Sequence, residues 1–168
     1  MANSDRIAAV DGTDSATVQR LFSEAIARWR AAGVRVAGLI EETHGLEGRI
    51  CTAGVLRDIA SGEPHSIFLE TLPAGKTCHV DAIGAETAGA SIVDQINACD
   101  VVVLSKFGKL ESGNGGLMGA FRAAADAGKP ILTTVGEKHR AAWRAFAPNA
   151  SVLPPDGHAI DAWCAKVR

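Results

Sequence analysis

The apolar positions in the first forty residues predict a strand, a helix and a second strand. Ile7–Val10 is a short apolar run that ends at a polar turn, as buried strands do. Asp14 or Ser15 can cap a helix, and Gly33 is placed to end it. That helix is marked by apolar side chains at three- and four-residue intervals, namely Val18, Leu21, Phe22, Ala25, Ile26 and Trp29. Residues 34–40 form a second apolar run, which completes a βαβ unit and predicts a parallel sheet.

The middle of the chain has a different pattern. Between residues 45 and 70, two short β-rich runs flank a Ser-Gly-Glu turn, which predicts an antiparallel hairpin added to the sheet. Residues 72–84 contain Pro73, Gly75 and Gly84 without a clear period. We therefore expect an irregular loop in that stretch.

The second half of the chain alternates helices and strands. Residues 100–104 form a nearly continuous apolar run, which predicts a strand buried on both faces. A polar stretch over residues 105–116 predicts a loop, and a helix follows to about residue 127, where Gly128 ends it. The other predicted elements are a helix over 85–96, a strand over 130–135, a helix over 139–146, an edge strand at 152–153 and a closing helix over 156–167.

These elements define the expected fold class. They predict an α/β protein of three layers, P-loop-like or Rossmann-like, in which helices flank a mostly parallel sheet with an inserted β-hairpin. The 168 residues contain no repeat, low-complexity segment or linker, so we expect a single P-loop-like domain over 1–168. A hydrophobic content of 47% and a charged content of 21% are typical of globular proteins.

Net charge and hydropathy indicate which classes of binding partner are not expected. The formal net charge is -2, so the chain has no basic field for a phosphate backbone, and we expect no nucleic-acid partner. No window reaches the ~18 apolar residues of a membrane span, and the first residues lack the apolar core of a signal peptide. The sequence therefore predicts a soluble, cytoplasmic protein without a membrane partner.

Cysteine spacing does not indicate a metal centre or a disulfide framework. The four cysteines have no C-x-x-C spacing, and we expect reduced thiols at Cys51, Cys78, Cys99 and Cys164. Cys78, His79 and Asp81 bring three possible ligands within four residues. A zinc site normally needs a fourth ligand, so no metal site is predicted. Whether these three residues approach the glycine-rich stretch described below stays open.

Two loops are candidates for ligand binding, because ligands of open α/β sheets lie at the carboxyl ends of the strands, beside helix N-termini. The first follows the first strand and offers Asp11, Gly12, Thr13 and Ser15. It stands where a P-loop would, but it has one glycine and no lysine. Its two aspartates would repel a triphosphate, and an ordinary strand-to-helix turn capped by Asp14 or Ser15 is the alternative interpretation.

The second loop covers residues 105–116 and combines cations with a glycine-rich turn. Such a turn can form an anion-binding nest at the start of the next helix. The alternative is a sharp turn with solvated lysines. The candidate ligand-binding residues are Lys106, Lys109, Glu111, Asn114, Gly115 and Gly116.

Most of the chain resembles the P-loop nucleoside-triphosphatase family first described from thermophiles, in the order of the segments GVRVAGL, GVLRDIASGEP, CDVVVL and FGKLE. It resembles more closely a bacterial domain family of unknown function whose members are often encoded beside molybdate-transport genes. That resemblance rests on SKFGKLE with the glycine cluster after it, GLMGAF, AGKPILT and AWRAFA. It implies a link to molybdenum supply, with an oxyanion such as molybdate or a molybdenum-cofactor intermediate as ligand.

The triphosphatase resemblance implies catalytic residues that this chain lacks. In that family an Asp for Mg²⁺ and a Glu that positions water precede the Gly-Lys-x-Glu motif, and matching the motif places Ser105 and Lys106 there. Because the P-loop lysine is also missing, metal-assisted phosphoryl transfer lacks its electrophile, its metal ligand and its base. We therefore expect no ordinary hydrolysis, while Lys106 supplies positive charge for an anion without Mg²⁺.

The function that the sequence favours is a binding or regulatory module that holds a small anion or a nucleotide without hydrolysing it, and no cofactor is assigned. Two enzymes stay open as alternatives. One is a residual nucleoside-triphosphatase, and the other is a nucleoside- or nucleotide-cleaving Rossmann-like enzyme, for which the helix over 117–127 offers only Asp126 as a carboxylate. A third alternative is a protein-interaction module, such as a homodimer through Trp143, Phe146 and Trp163, although aromatic pairs on a helix more often fill a core.

Overall fold

The computed structural model describes residues 4–43, 47, 53–69, 71, 74 and 80–168. Within these ranges the strands are β1 (Ile7–Val10), β2 (Val36–Thr43), β3 (Ala53–Asp58), β4 (Pro64–Ser66), β5 (Val101–Phe107), β6 (Ile131–Val135) and β7 (Ser151–Leu153). The helices are α1 (Ser15–Ala31), α2 (Ala82–Ser91), α3 (Val93–Ala98), α4 (Lys109–Ser112), α5 (Met118–Asp126), α6 (Arg140–Phe146) and α7 (Gly157–Val167). None of these described helices is long and apolar enough to cross a membrane.

The strands form one sheet in the order β4-β3-β2-β5-β6-β1-β7. Parallel pairings join β2 to β5, β5 to β6, β6 to β1, and β1 to β7. β3 runs antiparallel to both β2 and β4, so the hairpin extends one edge of the sheet. The predicted α/β class, the mostly parallel sheet and the added hairpin are confirmed.

Alternate residues of β1 face two separate hydrophobic cores, as the two-residue period of a strand requires. Ile7 and Ala9 pack in the core formed with α2, α3, α5 and α6, whereas Ala8 and Val10 pack in the core formed with α1 and α7. All four residues of β1 are therefore buried. This two-sided burial explains why the parallel strands are continuous apolar runs in the sequence.

α1 begins and ends at the residues that the sequence predicts. The carboxylate of Asp14 accepts a hydrogen bond from the backbone N–H of Thr17 at 2.8 Å, which caps the helix. All six apolar side chains of the predicted stripe are buried. Gly33 follows the helix with a φ of +83°, a conformation that favours glycine.

Several predicted boundaries are wrong, and among them the second strand is Val36–Thr43 where the sequence predicts 34–40. α2 begins at Ala82, so Gly84 lies in a helix and not in a loop, while residues 72–73 and 75–79 of that predicted loop lie outside the described ranges. The helix predicted over 85–96 is two helices, which meet at Ile92. The loop predicted over 105–116 is replaced in its first part by the end of β5 and by α4, because Phe107 is buried and pairs with β6.

The aromatic residues in the second half of the chain fill a core. The ring of Phe107 lies 5.6 Å from that of Phe121 and 5.2 Å from that of Trp143, centroid to centroid, in edge-to-face contacts. Phe146 stacks on Phe107, and Trp163 is buried between α7 and the sheet. The expectation that Trp143 and Phe146 fill a core is confirmed, since Trp143 is buried and the partly buried Phe146 packs against the same cluster.

Close contact between β2 and β5 makes Gly38 indispensable to the sheet. Gly38 pairs with Val103 and has a φ of +137°. A Cβ at this position would overlap the backbone of Val103. We expect Gly38→Ala to lower the free energy of unfolding by about 3 kcal/mol or more, and the melting temperature by roughly 6–12 °C.

Gly119→Ala is the matched control for that measurement. Gly119 lies in α5, and a Cβ there meets no atom within 4 Å. Alanine favours the helix, so we expect this variant to be more stable by about 0.5–1 kcal/mol. If Gly38→Ala unfolds at the wild-type temperature in a calorimetric or circular-dichroism scan, the close approach of the two strands is contradicted.

Candidate functional site

The topology of the sheet places a crevice between β1 and β6. The two strands are parallel neighbours, but α1 packs on one face of the sheet and α6 packs on the other. The chain therefore leaves the carboxyl ends of β1 and β6 in opposite directions. Ligand sites of open α/β sheets lie at such a switch point.

A pocket of about 380 Å³ lies at this switch point, which we call the switch-point pocket. Three stretches of the chain line it. They are the loop after β1 with the start of α1, the end of β5, and the segment from the end of β6 to the start of α6. The lining residues are Asp11, Gly12, Thr13, Asp14, Ser15, Val18, Lys106, Thr134, Val135, Gly136, Glu137 and Arg140. The volume fits a small organic ligand or an inorganic ion with part of its hydration shell.

The loop after β1 is held by its own polar groups. The backbone N–H of Asp11 donates to the carbonyl of Leu153 at 3.0 Å, which fixes the loop to β7. Gly12 turns the chain with a φ of +91°. Asp14 accepts from both the N–H and the hydroxyl of Thr17, and these hydrogen bonds lower the pKa of its carboxyl below the ordinary value. Asp14 therefore serves the helix as its cap.

An ion pair crosses the switch-point pocket between its first and third stretches. One nitrogen, Nη2 of Arg140, donates to both carboxylate oxygens of Asp11, at 2.9 Å and 2.8 Å. Oδ1 of Asp11 also accepts the backbone N–H of Gly12 at 2.8 Å. The side chains of Arg140 and Asp11 are 44% and 41% exposed, so water screens this pair.

Lys106 reaches the pocket through an irregularity in β5. Leu104 pairs with Thr133 and Phe107 pairs with Val135, so two residues of β5 stand opposite one residue of β6. Such a bulge turns side chains out of the regular alternation. Lys106 is the residue that it presents to the pocket.

Among the described residues, the closest carboxylate to Lys106 is that of Glu41, and it is buried. The Nζ atom lies 3.9 Å from Oε1 of Glu41, beyond hydrogen-bond distance, while the side chain of Lys106 is 39% exposed. Gln19 approaches the same Oε1 at 3.4 Å. Burial raises the pKa of the Glu41 carboxyl, the ammonium of Lys106 opposes that rise, and the negative charge of Glu111 adds to it.

The glycine-rich turn after α4 is built around the carboxylate of Glu111. Its Oε2 accepts the N–H of Gly108 at 2.9 Å and its Oε1 accepts the N–H of Leu117 at 2.8 Å, so one buried carboxylate caps the starts of both α4 and α5. Gly116 has a φ of +57°, and a Cβ there would overlap this carboxylate. The carboxylate of Glu111 therefore lies at the start of α5, where the sequence predicts a bound external anion.

The other predicted residues of that turn also have partners within the chain. The N–H of Gly115 donates to the carbonyl of Leu110 at 2.8 Å. The side-chain oxygen of Asn114 accepts from Arg122 at 2.7 Å. Lys109 is exposed on α4 and does not line the switch-point pocket.

The structure brings together half of the predicted site residues. The pocket contains Asp11, Gly12, Thr13, Ser15 and Lys106. It does not contain the remaining five, which are Lys109, Glu111, Asn114, Gly115 and Gly116.

Sequence reasoning missed the third stretch of the pocket. It is contributed by Thr134, Val135, Gly136, Glu137 and Arg140. The available signal was the predicted strand over 130–135, because the carboxyl end of that parallel strand must lie at the same edge of the sheet as those of its neighbours.

No group of three or more His, Cys, Asp or Glu side chains could hold a metal ion in the parts of the chain that the structure describes. Cys51, Cys78 and His79 lie outside those parts, so the question of their approach to the glycine-rich turn stays open. Asp81 precedes α2, and its N–H donates to the carbonyl of Ile67. Cys99 and Cys164 are buried free thiols, and burial raises the pKa of Cys164 to about 11.

Replacing Glu111 tests its role as a double helix cap. In Glu111→Gln one oxygen becomes an NH₂ group that faces a backbone N–H, which leaves a buried donor without an acceptor. We expect a loss of about 1–3 kcal/mol in the free energy of unfolding, measured by urea denaturation. Glu24→Gln, which breaks an exposed pair with Arg20, is the control and is expected to cost at most about 0.5 kcal/mol. Equal losses in the two variants would contradict the capping role.

The buried Glu41 predicts a pH-dependent stability. Its pKa is raised above 4.5 in the folded protein, so the folded chain binds more protons than the unfolded chain between those two values. Stability from this group is present below 4.5 and is lost as the pH rises through the folded pKa. We expect Glu41→Gln to melt above the wild type at about pH 8, and the advantage to shrink towards about pH 4. An advantage that does not change with pH, or that matches that of the exposed Glu63→Gln, would contradict this assignment.

The chain was compared with protein families, curated proteins and solved structures. It is 30% identical over 135 residues to the protein named Molybdenum import ATP-binding protein ModC 2 of Bradyrhizobium diazoefficiens strain USDA 110, a match that covers 79% of this chain and 15% of that protein. The chain thus spans a small part of that relative's length. No solved structure matches the chain significantly. The family model described as "Protein of unknown function (DUF2478)" matches residues 7–163, and the chain therefore belongs to the DUF2478 family.

Proposed function

We propose that the switch-point pocket binds a small anion, either an inorganic oxyanion or the phosphate group of a nucleotide, and that the protein acts as a binding or regulatory module. The observation that carries this proposal is the placement of Lys106. A bulge in β5 presents its ammonium to a pocket at the sheet's switch point, beside the start of α1. A lysine ammonium at such a position attracts anions.

The ammonium of Lys106 can donate hydrogen bonds to a ligand. Its nearest carboxylate oxygen within the described ranges is Oε1 of Glu41, 3.9 Å away, so the two groups attract electrostatically without a hydrogen bond. A lysine ammonium carries three donors on a flexible stem. Lys106 can therefore donate to an anion in the pocket while it stays near Glu41.

The carboxylates of the pocket's first stretch support binding without hydrolysis. Metal-assisted phosphoryl transfer needs carboxylates that hold Mg²⁺ and position water. Asp11 is engaged by Arg140, and Asp14 is engaged by Thr17 as the cap of α1. The loop that contains them has no lysine for the phosphates.

The name of the relative adds two candidates for the anion. That protein is described as an ATP-binding protein of molybdenum import. A nucleotide phosphate and molybdate are both tetrahedral oxyanions, and both can accept hydrogen bonds from Lys106 and Arg140, which line the pocket together with Asp11, Asp14 and Glu137. We therefore propose ATP and molybdate as the first ligands to test, in a cytoplasmic protein linked to molybdenum supply.

A thermal-shift titration tests the proposal. The wild type is titrated with ATP, molybdate and inorganic phosphate at constant ionic strength, with and without Mg²⁺. A ligand at 100 times its Kd stabilises by about 2.7 kcal/mol, which is a shift of roughly 5–10 °C for a chain of this size. We expect Lys106→Ala to abolish the shift, and we expect no phosphate release from ATP by either protein.

Two further lysine variants sharpen that titration. Lys166→Ala removes an exposed charge on α7 and controls for net charge. Lys109→Ala separates the switch-point pocket from the glycine-rich turn that the sequence favours. A shift that depends on Lys109 and not on Lys106 would move the site to that turn. If no anion stabilises the wild type more than Lys106→Ala, the proposed function is wrong, and phosphate release that depends on Lys106 would instead indicate a hydrolase.

A further inference from the structure

We propose that Asp11 is a built-in competitor for Arg140, and that a ligand must displace its carboxylate from the guanidinium to bind. This competition makes the pocket selective for tetrahedral dianions over carboxylates. The inference rests on the proposed function of the switch-point pocket, and it names Asp11 as the residue that determines the selectivity of that pocket.

The geometry of the Asp11–Arg140 pair is that of an intramolecular ligand. Both carboxylate oxygens of Asp11 lie within 2.9 Å of Nη2 of Arg140, although the residues are 129 positions apart in the chain. Both residues line the pocket, from its first and its third stretch. The carboxylate thus occupies the place at the guanidinium that a ligand's anionic group would take.

The pair is weak enough to exchange partners. Both side chains are about two-fifths exposed, and exposed ion pairs contribute little to stability. Arg140 is not the sole donor to the carboxylate of Asp11, because its Oδ1 also accepts the N–H of Gly12. The backbone of Asp11 stays fixed through its bond to Leu153, so the exchange needs only side-chain rotation.

The exposed ion pair between Arg28 and Asp161 serves as a comparison, because its carboxylate has a purely structural role. Arg28 donates to both oxygens of Asp161 through two different nitrogens, and Asp161 also accepts the indole N–H of Trp29 at 2.8 Å. That carboxylate joins α1 to α7 and does not line the pocket. Asp11 has no second side-chain partner of this kind among the described residues.

Competition with a carboxylate sets the class of ligand. A carboxylate ligand would replace Asp11 with a group of the same charge and shape, so Arg140 would gain nothing. A tetrahedral dianion carries more charge and more acceptor oxygens, and it can accept from Arg140 and Lys106 together. Inorganic phosphate, molybdate and the terminal phosphate of ATP share this chemistry.

The test is a set of binding titrations on Asp11→Asn. Asparagine keeps the shape and an acceptor for Gly12 but loses the charge that holds Arg140. Phosphate, molybdate, ATP and acetate are titrated calorimetrically against the wild type and the variant. We expect about threefold to fivefold tighter binding of the dianions to Asp11→Asn, the range that an exposed ion pair allows. Acetate is expected to bind measurably only to the variant.

Two other variants separate competition from a general change of charge. Asp14→Asn also removes one negative charge from the pocket, without a contact to Arg140, and it calibrates the purely coulombic gain. In an Arg140→Ala background, Asp11→Asn is expected to give no more than that calibrated gain. Circular dichroism checks that each variant is folded, which the exposure of these side chains favours.

The outcomes distinguish this inference from the proposed function. If the dianions bind and depend on Lys106, but Asp11→Asn tightens them no more than Asp14→Asn does, the competition is overturned and the proposed function stands. A gain in the Arg140→Ala background that exceeds the one calibrated by Asp14→Asn also overturns it. If no probe binds to the wild type or to Asp11→Asn, both the competition and the proposed function are wrong. The relative affinities of phosphate, molybdate and ATP identify the source of the dianion.

Discussion

The parallel pairing of β1 with β6 is the constraint on which the rest of the structure depends. It joins the first strand to one that lies more than a hundred residues later, and it places the helices that follow them on opposite faces of the sheet. Burial on both faces fixes the register, because every residue of β1 and the first three of β6 are enclosed. The crevice is therefore a product of topology, and its charged lining adds little to the stability of the fold.

Two charged sites among the described residues differ in their exposure to water. At the start of α5 the chain supplies its own carboxylate, that of Glu111, which is 7% exposed and bonded to two backbone N–H groups. At the switch point the chain supplies cations that stay in contact with water. Burial distinguishes a structural charge from one that a ligand can reach, since a buried carboxylate with good hydrogen bonds does not readily exchange its partners.

The sequence predicted the fold well where a single pattern decides the structure. The stripe of α1, its Asp14 cap and the glycine after it appear in the structure at the predicted positions. The predicted elements are less accurate over residues 105–116, where polar residues and glycines obscure the end of a strand and a short helix. A bulge depends on pairing with a distant strand, and a buried Glu111 depends on the two helix starts around it. Neither can be read from local composition.

Only part of the candidate site was predicted, because the other part depends on which distant strands pair. Local motifs indicated the loop after β1 and Lys106, whereas Arg140 is recognisable only once β6 is placed beside β1. The charge of Asp11 was interpreted as an obstacle to an anion. The structure gives that charge a partner in Arg140.

The anchoring of α6 by Trp143 has a consequence for how such a pocket diverges in evolution. Arg140 begins this helix, and Trp143, one turn later, is locked among Phe107, Phe121 and Phe146. The backbone position of residue 140 is therefore set by an aromatic core that has no part in the pocket's chemistry. A different side chain at that position would meet the crevice at the same point, so the chemistry of the rim can change by a single substitution while the fold is kept.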